Sequence, residues 1–258
     1  MIGCIIQART GSSRLPKKVL EKINENDVIL EYVLKQISYS KKIQKIVVAT
    51  TNLDEDEVIC EKLRSQKIDF FKGSSDDVLD RFFQCAKKFS FSTIVRITGD
   101  NPLIDPYIVD KAIDKFVNLK CDFVSNTIKR TFPYGTEVEV FSFNLLEKAW
   151  KNAKKPSERE HVTPFMYNSQ NKFHLENLQN ENDYSNLRYT VDKIEDLTLV
   201  KEIVKNINLK PILLKHIINL YKINPEIFKI NENIIHDGYL KSLKKDEVYF
   251  KLQNGNES

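Results

Sequence analysis

The sequence predicts an α/β fold, with a mainly parallel central sheet and helices on both faces. Two observations carry this. Short apolar runs rich in β-branched and aromatic residues recur along the chain, as strands buried on both faces do. Between them apolar residues return at helical spacing, and strands that alternate with helices build parallel sheets. A length of 258 residues suits one large domain that buries roughly three-quarters of its unfolded surface.

In chain order, IGCIIQ (2–7) reads as the opening strand. Leu30, Val33, Leu34 and Ile37 then keep the i, i+3, i+4, i+7 stripe of an amphipathic helix. KIVVAT (45–50) and IDFF (68–71) are the next strands. A second stripe, Leu79, Phe82, Phe83 and Ala86, follows Asp76 and Asp77, either of which can cap its N-terminus. STIVRIT (92–98) is a further strand. The stripe Ile108, Val109, Ala112, Ile113 and Phe116 opens at Pro106, whose fixed φ suits a first helical turn. CDFVSN (121–126) and NLRYTV (186–191) complete the strand-like runs. A helix with Ile194, Leu197, Val200 and Val204 on one face follows the latter. From 206 onward, Ile212, Leu213, His216, Ile217 and Leu220 give helical spacing in Asn- and Lys-rich sequence. The expected organisation is an α/β domain over 1–205 and a helical C-terminal appendage over 206–258.

Charge excludes whole classes of partner. Lys and Arg number 40 against 36 Asp and Glu, a net +4, too small to argue for a nucleic-acid or membrane-surface protein. Cys4, Cys60, Cys85 and Cys121 are widely spaced among apolar residues, which suits reduced, packed thiols. No apolar run reaches the length of a signal peptide core or of a membrane span. A soluble, cytoplasmic protein is expected.

In open α/β sheets ligands bind beyond the carboxyl ends of the strands, which selects the loops after Gln7, Ala49, Thr98 and Val191. The first, RTGSSRLPKK, contains neither a G-x-x-x-x-G-K-[ST] phosphate loop nor a G-x-G-x-x-G fingerprint. It offers Arg9, Arg14 and Lys18 as fixed positive charge and a turn at Gly11-Ser12-Ser13 whose N–H groups can face an anion. A solvated basic loop is the alternative, against which its position at the ligand edge argues; Lys17 reads as solvated. The second loop makes Thr51 a nucleotide-binding candidate by position. In the third, Gly99 permits a tight turn that leaves Asp100 at the same edge. A carboxylate there repels phosphates unless a cation stands between, and Mg²⁺ is held by one or two carboxylates plus phosphate oxygens in such sites. Asp192 is the candidate second carboxylate, with a helix N-cap as the alternative.

These residues carry a resemblance. IIQARTGSSRLPKKVL (5–20) resembles the signature of the cytidylyltransferases that activate acidic sugars, the CMP-Kdo and CMP-sialate synthetases, and most closely the spore coat polysaccharide SpsF-type branch. The blocks VVATT, GSSDDVLDRF, VRITGDNPLIDP, VSNT, YGTEVEVFS, PSEREHVTPF, LRYTVD and NPEIFKIN follow in the same order as in that branch. Each block is weak, but eight in register are specific. The resemblance implies a nucleotide-diphospho-sugar transferase fold of GT-A/Rossmann-like type. It implies that Arg9, Ser12, Arg14 and Lys18 bind the triphosphate of CTP, and that Asp100 and Asp192 hold Mg²⁺. Asp80-Arg81 looks like the counterpart of a D/E-R pair at the nucleotide edge of the Kdo branch. Arg96 has no counterpart in that branch.

The reaction this implies is attack of an acceptor oxygen on the α-phosphorus of CTP with release of pyrophosphate. The segment 127–185 is expected to form the acceptor pocket. Alternation places Glu137 and Glu139 on one strand face and Val138 and Val140 on the other. Tyr134, Arg159, His161 and Arg188 are the remaining acceptor candidates; a guanidinium would read a carboxylate or a phosphate equally well. The acceptor is an acidic sugar of nonulosonic or Kdo type, or alternatively a sugar or polyol phosphate, and a homodimer is carried as a candidate assembly. A metal-dependent glycosyltransferase is disfavoured because such enzymes carry no arginine- and lysine-rich loop for a triphosphate, and a non-catalytic relative because Asp100, Asp192 and the basic loop are all present.

Overall fold

A computed structural model describes residues 1–12, 14–234 and 238–254. Seven strands form one sheet: β1 (Ile2–Gln7), β2 (Lys45–Thr51), β3 (Asp69–Gly73), β4 (Thr93–Thr98), β5 (Phe123–Ser125), β6 (Glu139–Ser142) and β7 (Leu175–Asn177). Their order is β3-β2-β1-β4-β6-β5-β7. All pairings are parallel except those of β6, which runs antiparallel to both β4 and β5.

The helices are α1 (Ile29–Ile37), α2 (Glu57–Ser65), α3 (Val78–Lys88), α4 (Pro106–Leu119), α5 (Phe143–Asn152), α6 (Pro156–His161), α7 (Pro164–Tyr167), α8 (Ile194–Asn206), α9 (Leu214–Ile223) and α10 (Gly238–Asn254). They cover both faces because strand side chains alternate. Ile6, Val48, Val95 and Ile97 pack with the apolar stripes of α1, α4, α8 and α9. Ile5, Val47, Ala49 and Ile94 face the other way, onto α3 and α5. Asp77 caps α3, accepting from Asp80 N, and Asp105 caps α4 immediately before Pro106. All four cysteines are free and buried. Burial pushes the Cys85 thiol up to about 12 against the smaller opposing charges of Lys88 and Arg81, so it behaves as a packed, unreactive group.

The parallel register sets the ligand edge. Gln7 pairs with Thr98, so β1 and β4 end side by side, and with Ala49, two residues before the end of β2, so the loops that follow the three strands emerge at the same edge.

One expected strand is absent. NLRYTV makes a single bridge, Arg188 to Tyr134, and lies outside the sheet. Leu187, Tyr189 and Val191 alternate as a strand would because they are buried in the core, yet their backbone bonds to loops: Tyr134 N to Leu187 O, Tyr189 N to Tyr134 O, and Val191 N to Asp100 O, at 2.8–2.9 Å. Gly135 makes this approach feasible. Its φ is +109°, and a Cβ there would lie 2.7 Å from Thr190 N.

Side chains anchor the same segment from behind. Arg188 Nε donates to Asp196 Oδ1 at 2.9 Å and Arg188 Nη2 to Asp192 Oδ2 at 3.0 Å. Asn231 Nδ2 donates to Asp196 Oδ1 at 2.8 Å and to Arg188 O at 3.1 Å. Burial by itself raises the Asp196 carboxyl, but the bonds from Arg188 and Asn231 outweigh it and hold the group below the usual carboxylate range.

The tail from 206 packs onto the core. Ile212, Leu214, Ile217 and Ile218 belong to its larger apolar cluster, and Gln36 bonds to both the N–H and the carbonyl of Ile212. α10 lies on α6, where Ser157 N and Oγ donate to buried Asp246 at 2.9 and 2.5 Å. Residues 235–237 and 255–258 of the expected appendage lie outside the described residues. Among those described, no helix is long and apolar enough to cross a membrane.

Two consequences can be measured. Gly135→Ala places a side chain at positive φ against backbone and should lower unfolding free energy by about 2 kcal/mol or more; a wild-type denaturant midpoint would show that the contact with Thr190 is not needed. Asp196→Asn should destabilise the protein at pH 7 by about 3 kcal/mol, since Arg188 loses a buried partner. Because the native Asp196 carboxyl is depressed, its contribution is complete above about pH 4 and disappears as pH falls through the lowered value. The variant's stability should therefore vary less than wild type across that acid range.

Candidate active site

A cleft of about 660 Å³ opens where β1 and β4 end. Its floor includes Gln7, Ala8, Thr98, Gly99 and Asp100, and the loop after β1 forms one wall. That loop is pinned by a buried carboxylate. Thr10 N and Oγ1 both donate to Asp56 Oδ1, at 2.6 and 2.7 Å, and Thr51 Oγ1 donates to Asp56 Oδ2. Burial works to raise the Asp56 carboxyl, and the bonds from Thr51 and Thr10 outweigh it and hold it low. Within the loop, Ser12 N and Lys17 N both donate to Thr10 O. Lys17 is exposed, while Ser13 lies outside the described residues.

From this loop Lys18 reaches inward. Its buried ammonium donates to Asp100 Oδ2 at 2.6 Å, Asp192 Oδ1 at 2.8 Å and Val191 O at 3.0 Å. Burial disfavours its charge, yet Asp100 and Asp192 more than compensate, and its pKa lies above the usual lysine value. Arg14 Nη2 donates to Asp192 Oδ1 at 2.5 Å. Asp192 thus receives Lys18, Arg14 and Arg188. Burial pushes its carboxyl up, but Lys18 and Arg14 drive it well below the usual range. The two acidic residues, 92 positions apart in sequence, converge on one cation.

Asp100 and Asp192 fit a divalent cation on that ground: their oxygens already share a single positive charge. Among the described residues no three His, Cys, Asp or Glu side chains form a metal cluster.

Arg9 is exposed on the cleft wall, and Arg81 is buried beside it. Arg81 Nη1 donates to Ser74 O at 2.6 Å and its Nε has no partner. Burial, then the Arg9 charge, lower its pKa to about 10. Of the pair Asp80-Arg81 only the arginine faces the cleft. Asp80 is turned onto α5 and its own helix, accepting from Trp150 Nε1 at 2.8 Å and Gln84 Nε2 at 3.1 Å. Thr51 likewise sits behind the wall on Asp56.

The far half of the cleft is lined by Glu137, Glu139 and His161, with Arg96, Arg130 and Thr163. Glu137 and Glu139 do share a face, opposite Val138 and Val140 in the core. Arg130 Nη1 and Asn101 Nδ2 donate to Glu137 at 2.7 and 2.9 Å. Arg96 Nη1 and Thr163 Oγ1 donate to Glu139 at 2.5 and 2.8 Å. Arg96 therefore serves to fix Glu139. Burial, then the charge of Arg96, depress the His161 imidazole to about 4, so it stands neutral near pH 7; its Nε2 lies 2.9 Å from Ser242 Oγ.

Three acceptor candidates lie off the cleft. Arg159 bonds Asp77 Oδ2 through Nε at 3.0 Å and Trp150 O through Nη1 at 2.8 Å, joining α6 to α3 and α5. Arg188 stands behind Asp192, and the Tyr134 ring carries the Arg130 guanidinium 3.9 Å from its centroid. Sequence reading missed Asp56, Asn101 and Arg130. The acid at the start of the helix after TTNLDE was the available signal for the first; the others depend on tertiary position.

The cytidylyltransferase family pattern matches residues 3–234. An uncharacterised protein of Methanocaldococcus jannaschii is 42% identical over 241 residues, 91% of this chain and 96% of that protein. The spore coat polysaccharide biosynthesis protein SpsF of Bacillus subtilis is 31% identical over 229 residues, 86% of this chain and 94% of its own. The solved structure of a cytidylyltransferase from Leptospira borgpetersenii superposes with a TM-score of 0.86 at 35% identity, covering 91% of this chain and 99% of that one. The nucleotide-diphospho-sugar transferase fold is therefore shared, and the basic loop and paired aspartates lie within the matched span. This chain belongs to the cytidylyltransferase family.

Proposed function

We propose that this chain transfers CMP from CTP to an acidic sugar of nonulosonic or Kdo type, releasing pyrophosphate, in the cytoplasmic steps of cell-surface, spore or flagellar glycan biosynthesis. The observation that carries the reading is the convergence of Arg14 and Lys18 with Asp100 and Asp192 at the ligand edge, beside Arg9 and Ser12. A triphosphate needs that density of charge, and the neutral far half of the cleft suits a polyhydroxylated acceptor. The polysaccharide role of the Bacillus subtilis relative supports the pathway, and four free thiols suit a reducing compartment.

Arg9, Arg14, Lys18 and the N–H of Ser12 receive the triphosphate, and Arg81 offers its unpartnered Nε to the nucleotide. Asp100 and Asp192 would hold Mg²⁺, which when bound neutralises phosphate charge. An acceptor hydroxyl oxygen attacks the α-phosphorus and its proton is lost to solvent; a P–O bond forms to the acceptor as the bond to the β-phosphate breaks, and the electron pair leaves with pyrophosphate. The basic loop stabilises the charge that grows on the leaving group, so catalysis is mainly positioning and electrostatics. Glu137 and Glu139, held by arginines, accept hydrogen bonds from sugar hydroxyls.

Pyrophosphate release with four nucleoside triphosphates, crossed against acidic sugars and sugar phosphates, tests the reading; release should require CTP and an acidic sugar. Activity confined to sugar or polyol phosphates would replace the acceptor class, and none with CTP would end the proposal. Lys18→Ala should lower kcat by on the order of a hundredfold, as loss of one preorganised donor does; wild-type kinetics in that variant would remove Lys18 from the phosphate cradle. Chelation of divalent ions should abolish turnover and added Mg²⁺ restore it, with CTP affinity in equilibrium binding falling in parallel.

A further inference from the structure

Three ion pairs line the far half of the cleft, and they differ in what it takes to open them. Arg96–Glu139 is buried, with side chains 14% and 8% exposed. Arg130–Glu137 is partly buried, at 19% and 25%. Lys245–Glu160, N to O 2.7 Å, is open to solvent, at 60% and 33%. Exposed pairs are weak and exchange partners readily, whereas separating a buried pair strands a charge. Lys245 is thus the cation at this end that can turn to a new anion without leaving a buried carboxylate unpaired.

The residue is delivered by α10, which lies beyond the family match ending at residue 234. The helix is held in place independently of Lys245. Asp246 accepts from both N and Oγ of Ser157, and Ser242 meets His161. Both contacts are on α6, which also carries Glu160. Lys245 lines the same cleft as Asp100 and Asp192, at the wall that carries Glu160 and His161. Its charge acts on His161 together with that of Arg96.

We propose that Lys245 is a specificity-determining residue: α10 closes the acceptor end of the cleft, and the Lys245 ammonium leaves Glu160 to bind the anionic group, carboxylate or phosphate, of the incoming sugar. This rests on the transferase reading above and assigns the charge recognition that Arg159 and Arg188, engaged elsewhere, do not provide. Glu160, released, is left at the exposed rim where water solvates it.

The test uses the full chain and initial rates of pyrophosphate release with CTP, Mg²⁺ and, in separate arms, Kdo, N-acetylneuraminate or a sugar 1-phosphate. Lys245→Ala and Lys245→Glu should raise the acceptor KM by roughly tenfold or more, leave the KM for CTP within about twofold, and be largely rescued by Lys245→Arg. Lys244→Ala, on the exposed side of α10, should match wild type. The arms separate carboxylate from phosphate recognition. An unchanged acceptor KM in Lys245→Glu, with wild-type turnover intact, overturns the Lys245 assignment alone. Wild-type protein that turns over none of the charged acceptors overturns the transferase reading, and this inference with it.

Discussion

The ammonium of Lys18, shared between Asp100 and Asp192, is the interaction on which the geometry of the cleft depends. Its partners lie 82 and 174 residues away in sequence, and two carboxylates brought this close would repel each other without a cation between them. The fold supplies the approach by backbone means. Parallel pairing of β1 with β4 sets Gln7 beside Thr98, and the bond from Val191 N to Asp100 O ties the second acidic segment to the first. The side chains then only have to neutralise what the backbone has assembled. Removal of a buried partner from such a set costs about 3–5 kcal/mol, so the three residues are linked in stability as well as in chemistry.

Behind this triad stand two supports that touch no cleft surface. Asp56 grips Thr10 and Thr51, fixing the root of the basic loop to the end of β2. Arg188, Asp196 and Asn231 do the same for the segment that carries Asp192. Both are buried carboxylates satisfied by several donors, which makes them rigid. Rigidity matters here because a site that works by aimed charge loses its effect when the charges wander.

Much of this was legible in the sequence, and the failures share a cause. The buried strands β1, β2 and β4 and the stripes of α1, α3 and α4 follow from local periodicity, and Lys18, Arg14 and Asp100 from their place at strand ends. NLRYTV misled because a short run with apolar, aromatic and β-branched residues reports burial, and a loop buried through 187–192 carries the same residue types as a buried strand. The short strand β7 carried too few residues to show a period. Asp80 was read as ligand-facing through its resemblance to the D/E-R pair and Arg159 and Arg188 by charge type, but a buried or half-buried charge must find a partner, and neighbouring side chains supplied one. Trp150 for Asp80, Asp77 for Arg159 and Asp196 for Arg188 could not be read from spacing.

The distribution of charge divides the cleft into two ends. At the end formed by the basic loop Arg9 and Arg81 have no carboxylate in salt-bridge contact among the described residues, and Arg81 keeps a buried Nε without a partner. An unpaired guanidinium held in a desolvated place, its pKa lowered, is poised to gain from any anion or acceptor atom that arrives. At the far end Arg96, Arg130 and Lys245 each already face a glutamate. A polyanion entering the cleft is therefore drawn to one end and finds the other already neutralised, while hydroxyl groups find fixed carboxylates there to accept their hydrogens. On the proposed transferase reading, this polarity would orient a charged nucleotide against a largely uncharged sugar body before any specific contact is made. It follows from where eight or so ionic side chains find partners, and from nothing in the net charge of the chain.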